Sequence, residues 1–200
     1  MFLTYKNRLG KSHFFRAATT AKGGIRYYIT KSDNFPDLIE TLPEGFEIYE
    51  DPHDGRVIFR KIVPCAVAQE ELDLVQKAVE TLSDLKDILI QGEGETIVIW
   101  HSQFNSISGQ DENLTAEEAV EFYGEGINAW KKYYADFMFV LIDADKRFFR
   151  AARKVYMNLG GNGYISLKEG IGSLQYLTEK FCPYMGRESY FDTVPEGFDE

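Results

Sequence analysis

The chain predicts an α+β fold: a mainly antiparallel sheet with two or three packed helices and a small N-terminal β subdomain. Two observations carry this. Segments whose apolar residues alternate at every second position are interleaved with segments of helical period, without the regular strand-helix repeat of a parallel sheet. The turns joining the alternating segments are short and rich in glycine, as hairpins require.

The first 60 residues read as short strands. "SHFFRAA" and "IRYYIT" flank "TTAKGG", where Gly23 and Gly24 can supply the positive φ of a tight turn. Pro43 and Gly45 punctuate "LPEGF". "FEIYEDPHDGRVIFRKI" then forms a second hairpin, with Ile48 facing Val57 or Phe59 across a turn of Pro52, Asp54 and Gly55. From "VAQEELDLVQKAVETL" the period changes, and Val67, Leu72, Val75, Val79 and Leu82 mark a helix buried along one stripe. "LKDILIQGEGETIVIWHS" returns to a hairpin, Ile88 and Ile90 on one strand and Ile97, Ile99 and His101 on the other, turning between Gly92 and Gly94. After the polar stretch 102–113, Thr115 and Glu118 have capping-box spacing. That helix is expected to carry Ala119, Val120, Phe122, Tyr123, Ile127 and Trp130 past Gly124 and Gly126 to about Tyr134.

"DFMFVLID" predicts a strand and "DADK" a turn. Residues 146–156 fit two periods: a strand through Phe149, Ala151, Arg153 and Val155, or a helix with Phe148, Ala152, Val155, Tyr156 and Leu159 in one stripe. "SLKEGIGSLQYLTEKFCPYMG" predicts a C-terminal helix, weakened at Gly170 and Gly172 and ended before Pro183. "LPEGFE" at 42–47 and "VPEGFD" at 194–199 read as two similar turns, since their flanks repeat at no fixed period. A boundary near Pro64 separates a β-hairpin subdomain, 1–63, from an α+β portion, 64–200, packed against it or continuous with it.

The apolar fraction of 44%, with 15 Phe and 12 Tyr, fits a packed globule. The longest apolar run, Phe137 to Ile142, falls far short of the roughly 20 residues that span a bilayer. "MFLTYKNRLG" lacks the pattern of a secretory leader. The expected location is cytoplasmic, with no membrane partner and with Cys65 and Cys182 as reduced, buried thiols. The net charge of -10 is uneven: residues 1–35 hold seven basic groups and one acid, the rest fifteen basic and thirty-one acidic. A basic lobe of this kind suits an acidic protein surface, its own or a partner's, as well as it suits nucleic acid.

"NRLGKSHFFR", "IRYYITK" and above all "LPEGFEIYEDPHDGRVIFRK" resemble the N-terminal module of a family of uncharacterised bacterial proteins. The likeness extends in patches through "FMFVLIDADKRFFRAAR" to "YLTEKFCPYMGRESYFD". It implies that residues 146–156 are a strand packed on the preceding one. No catalytic residue, substrate or cofactor comes with it.

Several motifs bear on chemistry. "NLGGNGYISLKE", 158–169, has the length of a calcium loop, but Gly160 fills the third ligand position and Glu169 is its one carboxylate, so a glycine-rich turn is expected and no metal. His13, His53 and His101 have no zinc-ligand spacing. No phosphate-binding glycine fingerprint is present, and no cofactor is expected. His101, at a strand end beside Ser102, is the candidate general base. Asp143 and Asp145 share a face if the strand runs straight, and with Glu47 or Glu50 they could hold a magnesium ion as in a nuclease. Lys146, Arg147, Arg150, Arg153 and Lys154 lie beside Phe148 and Phe149, so Arg150 and Arg153 are nucleic-acid candidates. Arg26 and Tyr28 form a second such pair, with Tyr28 expected exposed and Tyr27 buried. The leading expectation is a non-catalytic protein-interaction or regulatory module with a protein partner or a second copy of itself. A metal-dependent nuclease or other hydrolase is the alternative, and weak binding of single-stranded nucleic acid a third.

Overall fold

The computed structural model describes residues 1–104, 116–124, 126, 131–156 and 162–197. The chain divides into two compact units, Met1–Val63 and Pro64–Glu200. The fold is α+β with a predominantly antiparallel sheet at its core and a small β unit at its N-terminus. No helix among the described residues is long and apolar enough to cross a membrane.

In the first unit, β1 (Thr4–Lys6), β2 (Ser12–Thr19) and β3 (Ile25–Thr30) form a three-stranded antiparallel sheet, and β4 (Phe46–Glu50) pairs with β5 (Val57–Lys61). Of the two glycines in the β2-β3 turn, Gly23 takes the left-handed conformation, at φ +80°. Ile48 pairs with Phe59 across β4-β5, and Gly55 turns that hairpin at φ +68°. Alternation sends Phe15, Tyr27, Phe46 and Phe59 inward, where their ring centroids lie 5.1 to 5.6 Å apart. Such pairs add about 0.5 to 1.5 kcal/mol each beyond the area they bury. Together they are the core of a unit too small for a large aliphatic one.

In the second unit, β6 (Ile88–Glu93), β7 (Thr96–Ser102), β8 (Tyr133–Asp143), β9 (Phe148–Tyr156) and β10 (Asn162–Gly172) form a five-stranded antiparallel meander in the order β10-β9-β8-β7-β6. Among the described residues three α-helices accompany it: α1 (Gln69–Leu82), α2 (Ala116–Tyr123) and α3 (Leu174–Phe181). Ile97, Ile99, Phe137, Phe139, Phe149 and Ala151 line one face of the sheet and pack with Val75 and Val79 of α1 and Leu177 and Phe181 of α3. The alternating strand pattern and the 3.6-residue stripe of α1 thus meet in one core. Half of a capping box starts α1, the Glu71 carboxylate accepting the Ala68 N–H at 2.9 Å.

Several expectations are corrected. The β6-β7 turn falls at Gly94 (φ +59°), and Gly92 stays within β6, where a Cβ would stand 3.1 Å from Cys65 Sγ. α2 ends at Tyr123 because Gly124 takes φ +86°, and Tyr133 and Tyr134 open β8 instead of closing a helix. Thr115, Ile127, Trp130 and Leu159 lie outside the described residues. Of residues 146–156, expected as strand, 148–156 are strand and Lys146 and Arg147 lie in the turn, Arg147 at φ +51°. The stretch expected to begin the C-terminal helix is the end of β10: at Gly170 a Cβ would meet Leu167 O at 2.6 Å, so the backbone there is too closely packed for a helix face. Ser173 starts α3 by accepting the Tyr176 N–H, at 3.3 Å. Cys65 is exposed; Cys182 is buried, and burial pushes its thiol up to about 12.

Candidate functional site

His101 ends the inward-facing series Ile97, Ile99, His101 on β7. Its partner comes from an irregularity. Pairing steps from Ile99 opposite Phe137 to Trp100 opposite Ala135, which leaves Asp136 as the extra residue of a β-bulge in β8. Strict alternation would send Asp136 to the face opposite Phe137; the bulge buries both. His101 Nε2 and Asp136 Oδ2 are 2.8 Å apart, with side-chain exposures of 8% and 7%. Nδ1 lies 3.1 Å from the Ser102 carbonyl. The carbonyl and the carboxylate are both acceptors, so each ring nitrogen faces an oxygen and neither is open to a further partner. The Tyr190 hydroxyl donates to the Asp136 carbonyl at 2.7 Å, and beside the pair a cavity of about 10 Å³ is walled by Leu85, Met185 and Tyr190. That is roughly the space of one water.

A general base needs an open nitrogen within reach of a substrate proton. Both His101 nitrogens are engaged, and the adjacent space admits no organic substrate. Asp143 and Asp145 do not join the pair. His101 stands opposite Tyr134, nine residues before Asp143 on β8, a distance of about 30 Å along an extended strand. Asp143 instead accepts the Lys146 N–H at 2.9 Å and pairs with the Lys146 ammonium at 3.5 Å, while Asp145 is exposed in the turn. Glu47 accepts from Arg60, and Glu50 from the Tyr5 hydroxyl and the Arg8 N–H. Among the described residues no group of three His, Cys, Asp or Glu side chains is placed to hold a metal ion. The segment read for calcium begins outside the described residues; from Asn162 on it is β10, and it follows a strand, so no helix pair brackets it.

The basic candidates separate. Three residues apart on a strand, Arg150 and Arg153 face opposite ways. Arg153 is buried, its Nε 3.4 Å from the Thr193 carbonyl and its guanidinium 5.8 Å from the Tyr190 ring. Arg150 is half-buried. Arg26 and Tyr28 share an exposed surface on β3, the guanidinium 5.6 Å from the ring centroid, while Tyr27 joins the aromatic cluster.

A groove of about 560 Å³ lies between α1 and α3. Leu74, Ala78 and Leu82, at i, i+4 and i+8 of α1, form its apolar floor, with Thr178 from α3. Glu70, Asp73 and Glu179 line it with one cation, Lys77. Two features of the candidate sites are thus missed in the sequence. The signal for Asp136 was a lone carboxylate inside the apolar run "YYADFMFV". The signal for the groove was the second stripe on α1, beside the one that meets the sheet. Comparison of the chain with protein-family models, with curated proteins and with solved structures returns no match.

Proposed function

We propose that the chain is a non-catalytic protein-interaction module that receives a cationic amphipathic helix of a partner protein in the groove between α1 and α3. The observation that carries this reading is the groove itself: an apolar floor one helix long, bordered by three carboxylates and one ammonium group. Helix-in-groove recognition needs such a floor for anchors at i, i+3 or i+4, and i+7, and the acidic border selects a basic partner by steering and by repelling acidic ones. Residues 64–200 hold twelve basic and twenty-four acidic groups, so the long-range field acts in the same direction. The engaged nitrogens of His101 support this reading over a hydrolase. It is the reading of a bacterial cytoplasmic protein, in keeping with two unbridged thiols.

The test is a fluorescence-anisotropy titration of the full chain with a labelled Leu/Lys peptide carrying one apolar stripe, and with a scrambled peptide of equal composition. The striped peptide is expected to bind at micromolar Kd and the scrambled one at least about tenfold more weakly. Ala78→Arg, which fills the floor and reverses the local charge, abolishes the difference. Equal binding of the two peptides, or indifference to Ala78→Arg, refutes the assignment.

A further inference from the structure

The first unit contains a cavity of about 320 Å³ between the β1-β2 turn, the end of β3 and the β4-β5 turn. Its walls are held by Asn7, which is buried. The Asn7 side-chain amide donates to the Gly55 carbonyl at 2.7 Å and its oxygen accepts the Lys11 N–H at 2.8 Å, tying the two turns together. A buried amide satisfied on both sides makes a rigid wall, so the cavity exists before any ligand arrives.

Arg8, Arg16 and Arg60 are each matched to a carboxylate, Glu50, Asp37 and Glu47. Lys11 and Lys31, both exposed, have no carboxylate partner among the described residues, and both line the cavity. Arg56 joins them; its guanidinium is 65% exposed and lies a loose 3.4 Å from Asp51. His13, 8% exposed, also lines the cavity. Its Nδ1 lies 3.0 Å from the Lys11 carbonyl, which leaves Nε2 without a hydrogen-bond partner among the described residues. The opposing charge is Asp54, which accepts the Arg56 N–H at 2.9 Å. The lining holds three cations and one carboxylate, and with Asp51 counted at Arg56 the local surplus is one positive charge. Leu9, Ile29 and Val57 complete the lining with aliphatic surface.

We propose that this cavity binds a small organic phosphomonoester, with its phosphate among Lys11, Lys31 and Arg56 and its organic group against Leu9 and Ile29. A phosphate can replace the loose Asp51 contact of Arg56, and its several oxygens can take the guanidinium fork and two ammonium groups together. A carboxylate or sulfonate brings a single charge. The volume is at the lower end of the range for small-molecule sites, about 300 to 1,000 Å³, which suits a phosphate with one ring or short chain attached.

The test is a two-dimensional NMR titration of the full chain with phenyl phosphate, beside inorganic phosphate and benzenesulfonate, at constant ionic strength. Phenyl phosphate is expected to give saturable shifts confined to Lys11, His13, Lys31, Arg56 and their neighbours. Benzenesulfonate should bind at least about tenfold more weakly, having lost one charge against the same cations. The Lys11→Gln/Lys31→Gln double variant changes only exposed side chains, and its own spectrum reports whether it is folded; it should lose at least about tenfold in affinity. Lys22→Gln/Lys61→Gln, with the same change in net charge away from the cavity, should lose less than about twofold. Equal losses in the two double variants, sulfonate binding as tight as phosphate, or no saturable shift each overturn the proposal.

Discussion

Asp136→Ala tests whether the His101-Asp136 pair is sealed. The carboxylate is 7% exposed and its partner 8%, with a 2.8 Å contact between them. Removing one member of a buried pair leaves the other desolvated and uncompensated, at a cost of about 3 to 5 kcal/mol. For a domain of this size a loss of about 4 kcal/mol lowers Tm by about 12 °C, at about 3 °C per kcal/mol. Asp136→Asn keeps an oxygen for Nε2 and should cost only about 1 to 2 kcal/mol. In the double variant His101→Ala/Asp136→Ala neither group is left stranded, so the two single costs should fail to add by about 2 to 3 kcal/mol.

Urea unfolding followed by tryptophan fluorescence is the assay. Both tryptophans, Trp100 and Trp130, belong to Pro64–Glu200, so the signal reports that unit alone. A cost for Asp136→Ala below about 1 kcal/mol, with coupling under about 0.5 kcal/mol, refutes the reasoning. Water would then reach the pair, and so could a substrate, which would return His101 to the position of a candidate base.

Three further outcomes follow from packing and charge. Gly170→Ala forces a Cβ to within 2.6 Å of Leu167 O and 3.3 Å of Ala151 O; the backbone must shift, and the same urea assay should show a loss of about 2 to 3 kcal/mol, with an unchanged midpoint counting against the close approach. Glu71 is held below its ordinary value of 4.5: burial acts to raise it, but hydrogen bonds from Arg147 and the Ala68 N–H prevail. A lowered value in the folded state means its contribution is full above about pH 4.5 and is lost as pH falls through the folded value, so wild type and Glu71→Gln should differ by about 0.5 to 1 kcal/mol near neutrality and converge in acid, the figure being reduced because Arg147 is well exposed. Thiol titration with a maleimide at pH 8 should find one reactive cysteine, Cys65, in the folded chain and two in denaturant, because burial pushes Cys182 up to about 12; two fast thiols in the native state would contradict that burial.

What could be read from the sequence depended on whether local and long-range forces agree. The hairpins around Gly23 and Gly55 were legible because alternation and turn chemistry point the same way. Tyr27 and Tyr28 sorted correctly to the two faces of β3, since period two leaves no other choice on a paired strand. Residues 146–156 carried two compatible periods, and only the pairing of Phe149 with Leu141 and of Arg153 with Phe137 and Ile165 selects the strand. The first half of the expected C-terminal helix failed for a related reason: Gly170 is required by a backbone contact with Leu167 and Ala151, and nothing local in "LKEGIG" announces it. His101 was legible as a strand-end residue. Its partner was not, because a bulge changes which face a residue takes, and that depends on the neighbouring strand.

The same bulge accounts for the buried polar residues without assigning them chemistry. The last described segment, Glu188 to Gly197, anchors Tyr190 in the core and is fastened further by hydrogen bonds. Tyr190 donates to the Asp136 carbonyl at 2.7 Å, a carbonyl the bulge releases from regular pairing with β7. Arg153 reaches the Thr193 carbonyl and lies by the Tyr190 ring. Further along, the Lys168 N–H donates to the Val194 carbonyl and the Glu196 N–H to the Ser166 carbonyl, both at 2.8 Å, so the segment runs as an added edge beside β10. Gly197 turns it at φ +87°, as Gly45 turns "LPEGF" at +76°, so the two similar sequences are two similar turns. Asp136, Arg153 and Tyr190 are therefore one fastening. His101 supplies the partner that the Asp136 carboxylate needs once the bulge has carried it inside. A buried carboxylate costs several kcal/mol if unpaired, so the imidazole is required by the backbone geometry, whether or not a substrate ever comes near it.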